Sequence, residues 1–148
     1  MRKLFAAVVC AAAWGVGGGA TAQEMPIIEL SAGIHRIEAE VAYTQPTRMV
    51  GLMNRRVMPK HRGMLFVFDA EARHCMWMRN TLIPLAVAFL DEQGRILNIE
   101  EMQPQTENNH CAAKPARYAL EMNAGWFRAR GLGAGIAIGG IERAPAPR

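Results

Sequence analysis

Between positions 63 and 90 the chain reads GMLFVFDAEARHCMWMRNTLIPLAVAFL, and its apolar runs are short and bounded by turn residues. Residues 64–68, closed off by Gly63 and Asp69, have the length and unbroken hydrophobicity of a strand buried on both faces. Residues 75–80 read as a second strand, with Cys75, Trp77 and Arg79 on one side and Met76, Met78 and Asn80 on the other. Pro84 then forces a bend, because the residue before a proline is pushed toward extended geometry. Residues 85–90 and 95–100 flank Asp91-Glu92-Gln93-Gly94, which predicts a hairpin. A chain built around this stretch is predicted to be mainly β.

The flanking segments extend that reading. Residues 27–30 and 35–44 alternate around Gly33, placing Ile37, Ala39, Val41 and Tyr43 on one face of a strand. Gln45-Pro46 ends it, and Thr47 is in place to cap a short helix through Met53 or Arg55. Residues 102–116 are polar and proline-bearing, a long loop that holds Cys111. Residues 117–122 alternate as a strand, 126–130 suit a second short helix, and 136–141 suit a last strand. The expected architecture is an α+β domain dominated by β: a small barrel or rolled antiparallel sheet with two short helices. No repeat or linker divides it. Residues 23–143 form one domain and the proline-bearing 144–148 a frayed tail.

The first residues have another purpose. Arg2 and Lys3 precede an apolar run over 4–14, a glycine-rich stretch, and Ala20-Thr21-Ala22, the pattern of a secretory signal peptide. The run is shorter than the roughly 20 residues a spanning helix needs. Cleavage after Ala22 is expected to leave a periplasmic or secreted chain, starting at Gln23, with no stable membrane span. The net charge of +4 then falls to 4 − 2 = +2, too weak a surplus to suggest nucleic acid as a partner. Cys10 is lost with the signal, and in an oxidising compartment Cys75 and Cys111 are expected to form one disulfide. Zinc held by the dipeptides His74-Cys75 and His110-Cys111 fits less well, since neighbours in an extended segment point to opposite faces.

Several blocks together resemble one family. They are Arg48 with Gly51-Leu52-Met53-Asn54-Arg55, residues 63–68, and Met76-Trp77-Met78-Arg79-Asn80-Thr81-Leu82-Ile83-Pro84-Leu85. The turn at residues 91–96 and Tyr118-Ala119-Leu120-Glu121 with Gly125-Trp126 complete the set, so that the resemblance runs from about Glu38 to about Ile141. The chain is similar to the domain of unknown function numbered 192, small and frequently exported prokaryotic proteins. That resemblance implies a compact β-rich fold and brings no reaction with it. One step departs from the pattern: the family's Pro-Leu-Asp reads Pro84-Leu85-Ala86 here, which puts in doubt any role resting on that aspartate.

Functional expectations rest on the polar residues of those blocks: Arg48, Arg55, Asn80, Thr81 and Glu121. Gathered at one end of the fold, two guanidiniums and an amide would hold a small anionic ligand, since arginine's planar fork matches carboxylate and phosphate. Alternatively Arg48 or Arg55 pairs with Glu121, and Asn80 and Thr81 satisfy backbone groups at the bend. No G-x-S-x-G or H-E-x-x-H occurs, so the reading leans away from an enzyme and names no cofactor. The leading expectation is a non-enzymatic module that binds a ligand or an envelope protein. A copper-handling protein is the alternative, with Met64, His61, His74 and Met76 as soft ligands, although methionines more often fill cores. A small envelope hydrolase is a second alternative and requires a carboxylate pair or an activated hydroxyl in a cleft. Trp77 and Trp126 are both expected in the core, their indole N–H groups bonded to backbone.

Overall fold

The computed structural model describes residues 25–148, so the expected signal segment and its cleavage point lie outside the described residues. The chain is mainly β. Its strands are β1 (Ile27–Ala32), β2 (His35–Ala42), β3 (Arg62–Ala72), β4 (Cys75–Met76), β5 (Leu85–Leu90), β6 (Ile96–Met102), β7 (His110–Cys111), β8 (Ala116–Asn123) and β9 (Ile138–Gly139). Seven of them curl into a half-barrel in the order β6-β5-β8-β3-β2-β1-β9, while β4 and β7 form a separate ribbon. The outer ends approach each other, since Arg95 bridges Ala137 and the Ile138 N–H donates to the Gly94 carbonyl at 2.9 Å.

The sheet is not wholly antiparallel, as the sequence had suggested: β2 and β3 run parallel, with Ala39 opposite Gly63 and Val41 opposite Leu65. The reason lies in residues 43–61, which include the helix α1 (Gln45–Val50) and return the chain to the same end of the sheet. Parallel neighbours require a crossover of that length, whereas a hairpin does not.

Both faces of the central strands are buried, as the unbroken run at 64–68 implied. Leu30, Ile37, Val41, Leu65, Val67, Ala88, Leu90, Leu120 and Ile138 meet on the inner face, where Trp126, Phe127 and Ile141 close the curl. The alternate residues Met64, Phe66, Phe68, Leu85, Val87, Phe89 and Ala119 form a second core on the outer face, covered by Leu52, Met58, Met78 and Met102. Gly63 sits where β3 meets β8. A Cβ there would lie 2.5 Å from the Glu121 carbonyl oxygen and against the Met122 sulfur. Gly63→Ala is therefore expected to destabilise the fold by about 2–3 kcal/mol, read as a lower urea midpoint at unchanged slope.

Among the described residues one α-helix forms, not two. Thr44, rather than Thr47, is its N-cap, and the two threonines make a reciprocal capping box behind Pro46. The helix stops at Gly51, whose φ of +48° is left-handed, well before Met53 or Arg55. The expected second helix at 126–130 is a single 3-10 turn, Arg128–Arg130, ended by left-handed Gly131. The strand expected over 75–80 ends after Met76, because the Met78 N–H turns to the Thr106 carbonyl and the Thr81 N–H to Met78. The last strand shortens to β9, followed by a 3-10 turn at Ile141–Arg143. The terminal residues, expected to fray, hold to the body: Arg148 N–H donates to the Tyr43 carbonyl at 2.7 Å and its carbonyl accepts from Gln45 N–H.

Cys75 and Cys111 are opposite each other in the β4–β7 ribbon and form a disulfide with a Cα–Cα distance of 4.0 Å. Both thiols are consumed, which removes the zinc alternative. The bridge also fixes the chain that enters Met76 and Trp77, two residues that wall the site described next.

Candidate functional site

Glu121 lies near the end of β8, in the middle of the sheet, with its side chain on the outer face. Across the strands the registered row on that face runs Glu40, Met64, Glu121, Val87, Glu100. Its immediate neighbours are thus apolar, and the flanking carboxyls are two strands away, roughly 10 Å. Above it the chain is folded over by two segments: α1 with the turn after it, and residues 76–81. Between them is a cavity of about 40 Å³ lined by Arg48, Gly51, Leu52, Phe66, Thr81 and Glu121, with Met49, Met53, Met76 and Trp77 around it. A groove of about 280 Å³ adjoins it and shares Arg48, Met49, Phe66, Met76 and Trp77. Gly51 allows the close cover: a Cβ at that residue would sit 3.1 Å from the Phe66 ring.

Glu121 is only 4% exposed. Burial alone pushes its carboxyl up to about 8, with no opposing ion pair or hydrogen bond to the charged form. The side chain is accordingly a neutral acid at neutral pH. Such a group costs free energy unless something meets it.

Neither arginine pairs with it. Arg48 Nη1 donates to the carbonyls of Tyr43 at 2.9 Å and Val67 at 3.0 Å, and Nη2 to the Asp69 carboxylate at 2.8 Å. Arg48 thus edges the cavity while its charge is committed elsewhere. Arg55 holds Glu40 in a two-pronged ion pair. Its hydrogen bonds are the main reason that the Glu40 carboxyl lies below the usual range, and Glu40 raises the arginine in return. The expected pair of free guanidiniums for an anion is not formed, because each has a carboxylate of this chain. Asn80, in a left-handed conformation, is exposed and accepts the Asn54 N–H at its carbonyl, 2.8 Å away; Asn54 is left-handed too. This link ties the two covering segments to each other. Thr81 is buried, and its hydroxyl donates to the Arg79 carbonyl at 3.3 Å.

Of the five residues singled out in the sequence, Arg48, Thr81 and Glu121 share the cavity, whereas Arg55 and Asn80 brace its surroundings. The contribution of Phe66, Trp77 and the three methionines was not legible as a site. Trp77 is 45% exposed rather than buried in the core, and the Arg79 guanidinium lies 5.6 Å from its ring centroid. Trp126 is in the core as expected, but among the described residues its indole N–H has no partner. The four residues weighed for copper are dispersed. Met64 is wholly buried, His74 stacks on Phe68 at 3.8 Å, His61 is exposed beside Glu38, and Met76 lines the cavity. Among the described residues no group of three or more His, Cys, Asp or Glu is placed to hold a metal ion.

The model of an uncharacterised family, domain of unknown function 192 (uncharacterised ACR), matches residues 27–139. The chain belongs to that family. The matched span contains all nine strands of the described residues and every residue of the cavity. Among solved structures, the chain is similar to a candidate transcription regulator from Sinorhizobium meliloti 1021, with 34% identity, a TM-score of 0.70, and 76% of this chain and 90% of that one covered. It is also similar to a protein of unknown function from Novosphingobium aromaticivorans DSM 12444, at 29% identity, a TM-score of 0.74, and 88% and 92% coverage. No curated protein matches. In this family member, Ala86 is wholly buried on the inner face, opposite Met122 and Glu101 in the register. Since Glu121 is on the outer face, the replacement of the resemblance's aspartate leaves the cavity untouched.

Proposed function

We propose that this family 192 domain is an exported, non-enzymatic binding module whose ligand enters the cavity floored by Glu121. The observation that carries this reading is the acid itself. Its registered neighbours, Met64 and Val87, are apolar, and a side chain like theirs would satisfy the fold at lower cost than a buried carboxyl. The surface around the cavity supports the same reading: Met49, Val50 and Trp77 stand 69%, 56% and 45% exposed together at its mouth. An apolar rim over a few placed polar groups is the general form of a small-molecule site. A single carboxyl in the lining, with no second acid and with the Thr81 hydroxyl donated to the Arg79 carbonyl rather than to a base, favours binding over an envelope hydrolase's chemistry.

Export rests on the signal pattern ending at Ala22 and is supported by the disulfide, which suits an oxidising compartment. Native mass spectrometry of the protein taken from the envelope fraction tests both parts. The expected result is a chain beginning at Gln23, oxidised at its two cysteines and carrying a small-molecule adduct that Glu121→Leu lacks. A bare wild-type chain, or an adduct kept by the leucine variant, would contradict the binding role. A chain retaining residues 1–22 in the cytosol would contradict export.

A further inference from the structure

The chemistry of the cavity selects among ligands. Its floor is a carboxyl with nothing to neutralise it, and the Thr81 hydroxyl, having donated to Arg79, turns only lone pairs to any further partner. Its walls are the Phe66 and Trp77 rings and the thioethers of Met49, Met53 and Met76. Aromatic faces attract cations, and Trp77 already carries one, the Arg79 guanidinium. Arg48 contributes the one cationic side chain of the lining, and its charge is turned to Asp69 and two backbone carbonyls. Once Glu121 ionises, the lining presents acceptors and negative potential; while the acid is neutral, its own proton is the lining's free donor. An anion would meet the charge of the ionised acid; a cation rich in N–H donors would complete it.

Resting on the binding role proposed above, we infer that the site takes a primary alkylammonium: its –NH₃⁺ group meets Glu121 and Thr81 in the 40 Å³ cavity, and its alkyl chain lies in the adjoining 280 Å³ groove. A cavity of that size holds a few water-sized groups, which suits an ammonium head and excludes a guanidinium with its bulkier plane. The groove, with Phe66, Phe68, Met49, Met76 and Trp77, buries methylenes.

The charged groups that face Glu121 from the surrounding elements are few. Arg48 approaches from α1, Glu40 with Arg55 from β2 and the turn after α1, and Glu100 from β6. Arg79 leads into Thr81 but is exposed and near Glu107. Glu40 is held below the usual carboxylate range by its pairing with Arg55, whose own value it raises. The pH dependence of binding between about pH 6 and pH 8 accordingly reports Glu121. An ammonium binds the ionised acid, so its affinity is expected to rise about tenfold per pH unit toward pH 8 and level off above it, while the amine stays protonated.

The test uses n-butylammonium with the mature, disulfide-bonded protein, followed by NMR at the Trp77 indole and the Glu121 carboxyl carbon. Pentanamide and butyrate serve as neutral and anionic comparisons. The expected result is saturable binding of n-butylammonium with the rising pH profile, weakened at least tenfold in Glu121→Gln, and no competition from butyrate. Pentanamide binding more tightly, with affinity falling as pH rises, would overturn the ammonium and leave the binding role standing, since a neutral acid donates to a carbonyl. Equal binding by Glu121→Gln would likewise overturn it. If none of the three probes shifts either signal, both the ammonium and the pocket as a binding site fall.

Discussion

Glu121→Gln is expected to make the protein more stable than wild type at pH 7, by roughly 3 kcal/mol, and to leave it nearly unchanged near pH 4. The sign follows from the raised carboxyl. Unfolded, the acid ionises near its ordinary value of 4.5; folded, it holds its proton to about 8. Across that window the native state binds the extra proton, so stability falls as pH rises and becomes flat above about 8. At about 1.4 kcal/mol per pH unit, the loss by neutrality comes to the figure above. Glutamine has nothing to ionise and escapes the loss. Glu40 acts in the opposite sense: held low by Arg55, it stabilises above its unfolded value and ceases to as pH falls through its folded one. Because that contribution is present in both proteins, it cancels in the comparison. Urea denaturation at a series of pH values checks the claim, and parallel profiles for the two proteins would contradict it.

The second large effect is expected at the disulfide. Cys75→Ser combined with Cys111→Ser opens a loop of 36 residues. In the chain-entropy model that frees the unfolded chain by about 4 kcal/mol, a large share of the 5–15 kcal/mol typical of a domain. β4 and β7 are two residues each, and the ribbon they form is otherwise tied to β6 by Asn98, whose side chain donates to the Cys111 carbonyl at 3.1 Å and accepts from the Ala113 N–H at 2.9 Å. The loss should be visible as a urea midpoint shifted far to the left of the oxidised protein. The same variant should weaken any ligand of the cavity, because Met76 and Trp77 enter its wall directly from Cys75. A change under about 1 kcal/mol would mean that the reduced chain keeps these ends together by other means.

The elements legible in the sequence are those whose cause is local. Residues 64–68 announced a doubly buried strand, the turn at 91–94 a hairpin, and the two cysteines a bridge; all three are present. What depended on distant partners was not legible. The parallel pairing of β2 with β3 follows from where the crossover returns, and residues 77–80 leave the strand because the Met78 N–H finds Thr106. The site divides in the same way. Thr81 and Glu121 were selected as polar residues of the blocks that carry the family resemblance, a signal the sequence does contain. That Arg48 would be drawn to Asp69, and Arg55 to Glu40, depended on carboxylates brought close only by folding. Phe66 and the methionines look like core from their spacing, and only the fold of α1 over β3 shows them at a cavity wall.

The most direct measurement is a carbon-13 NMR titration of the Glu121 carboxyl in glutamate-labelled protein, assigned by its loss in Glu121→Gln. A midpoint near pH 8 is the expected result, and it would establish a neutral acid at the floor of the cavity. A midpoint in the ordinary carboxylate range, near 4.5, would mean that water or a cationic partner already reaches the group, and would contradict the dry, unpaired acid on which the proposed site rests.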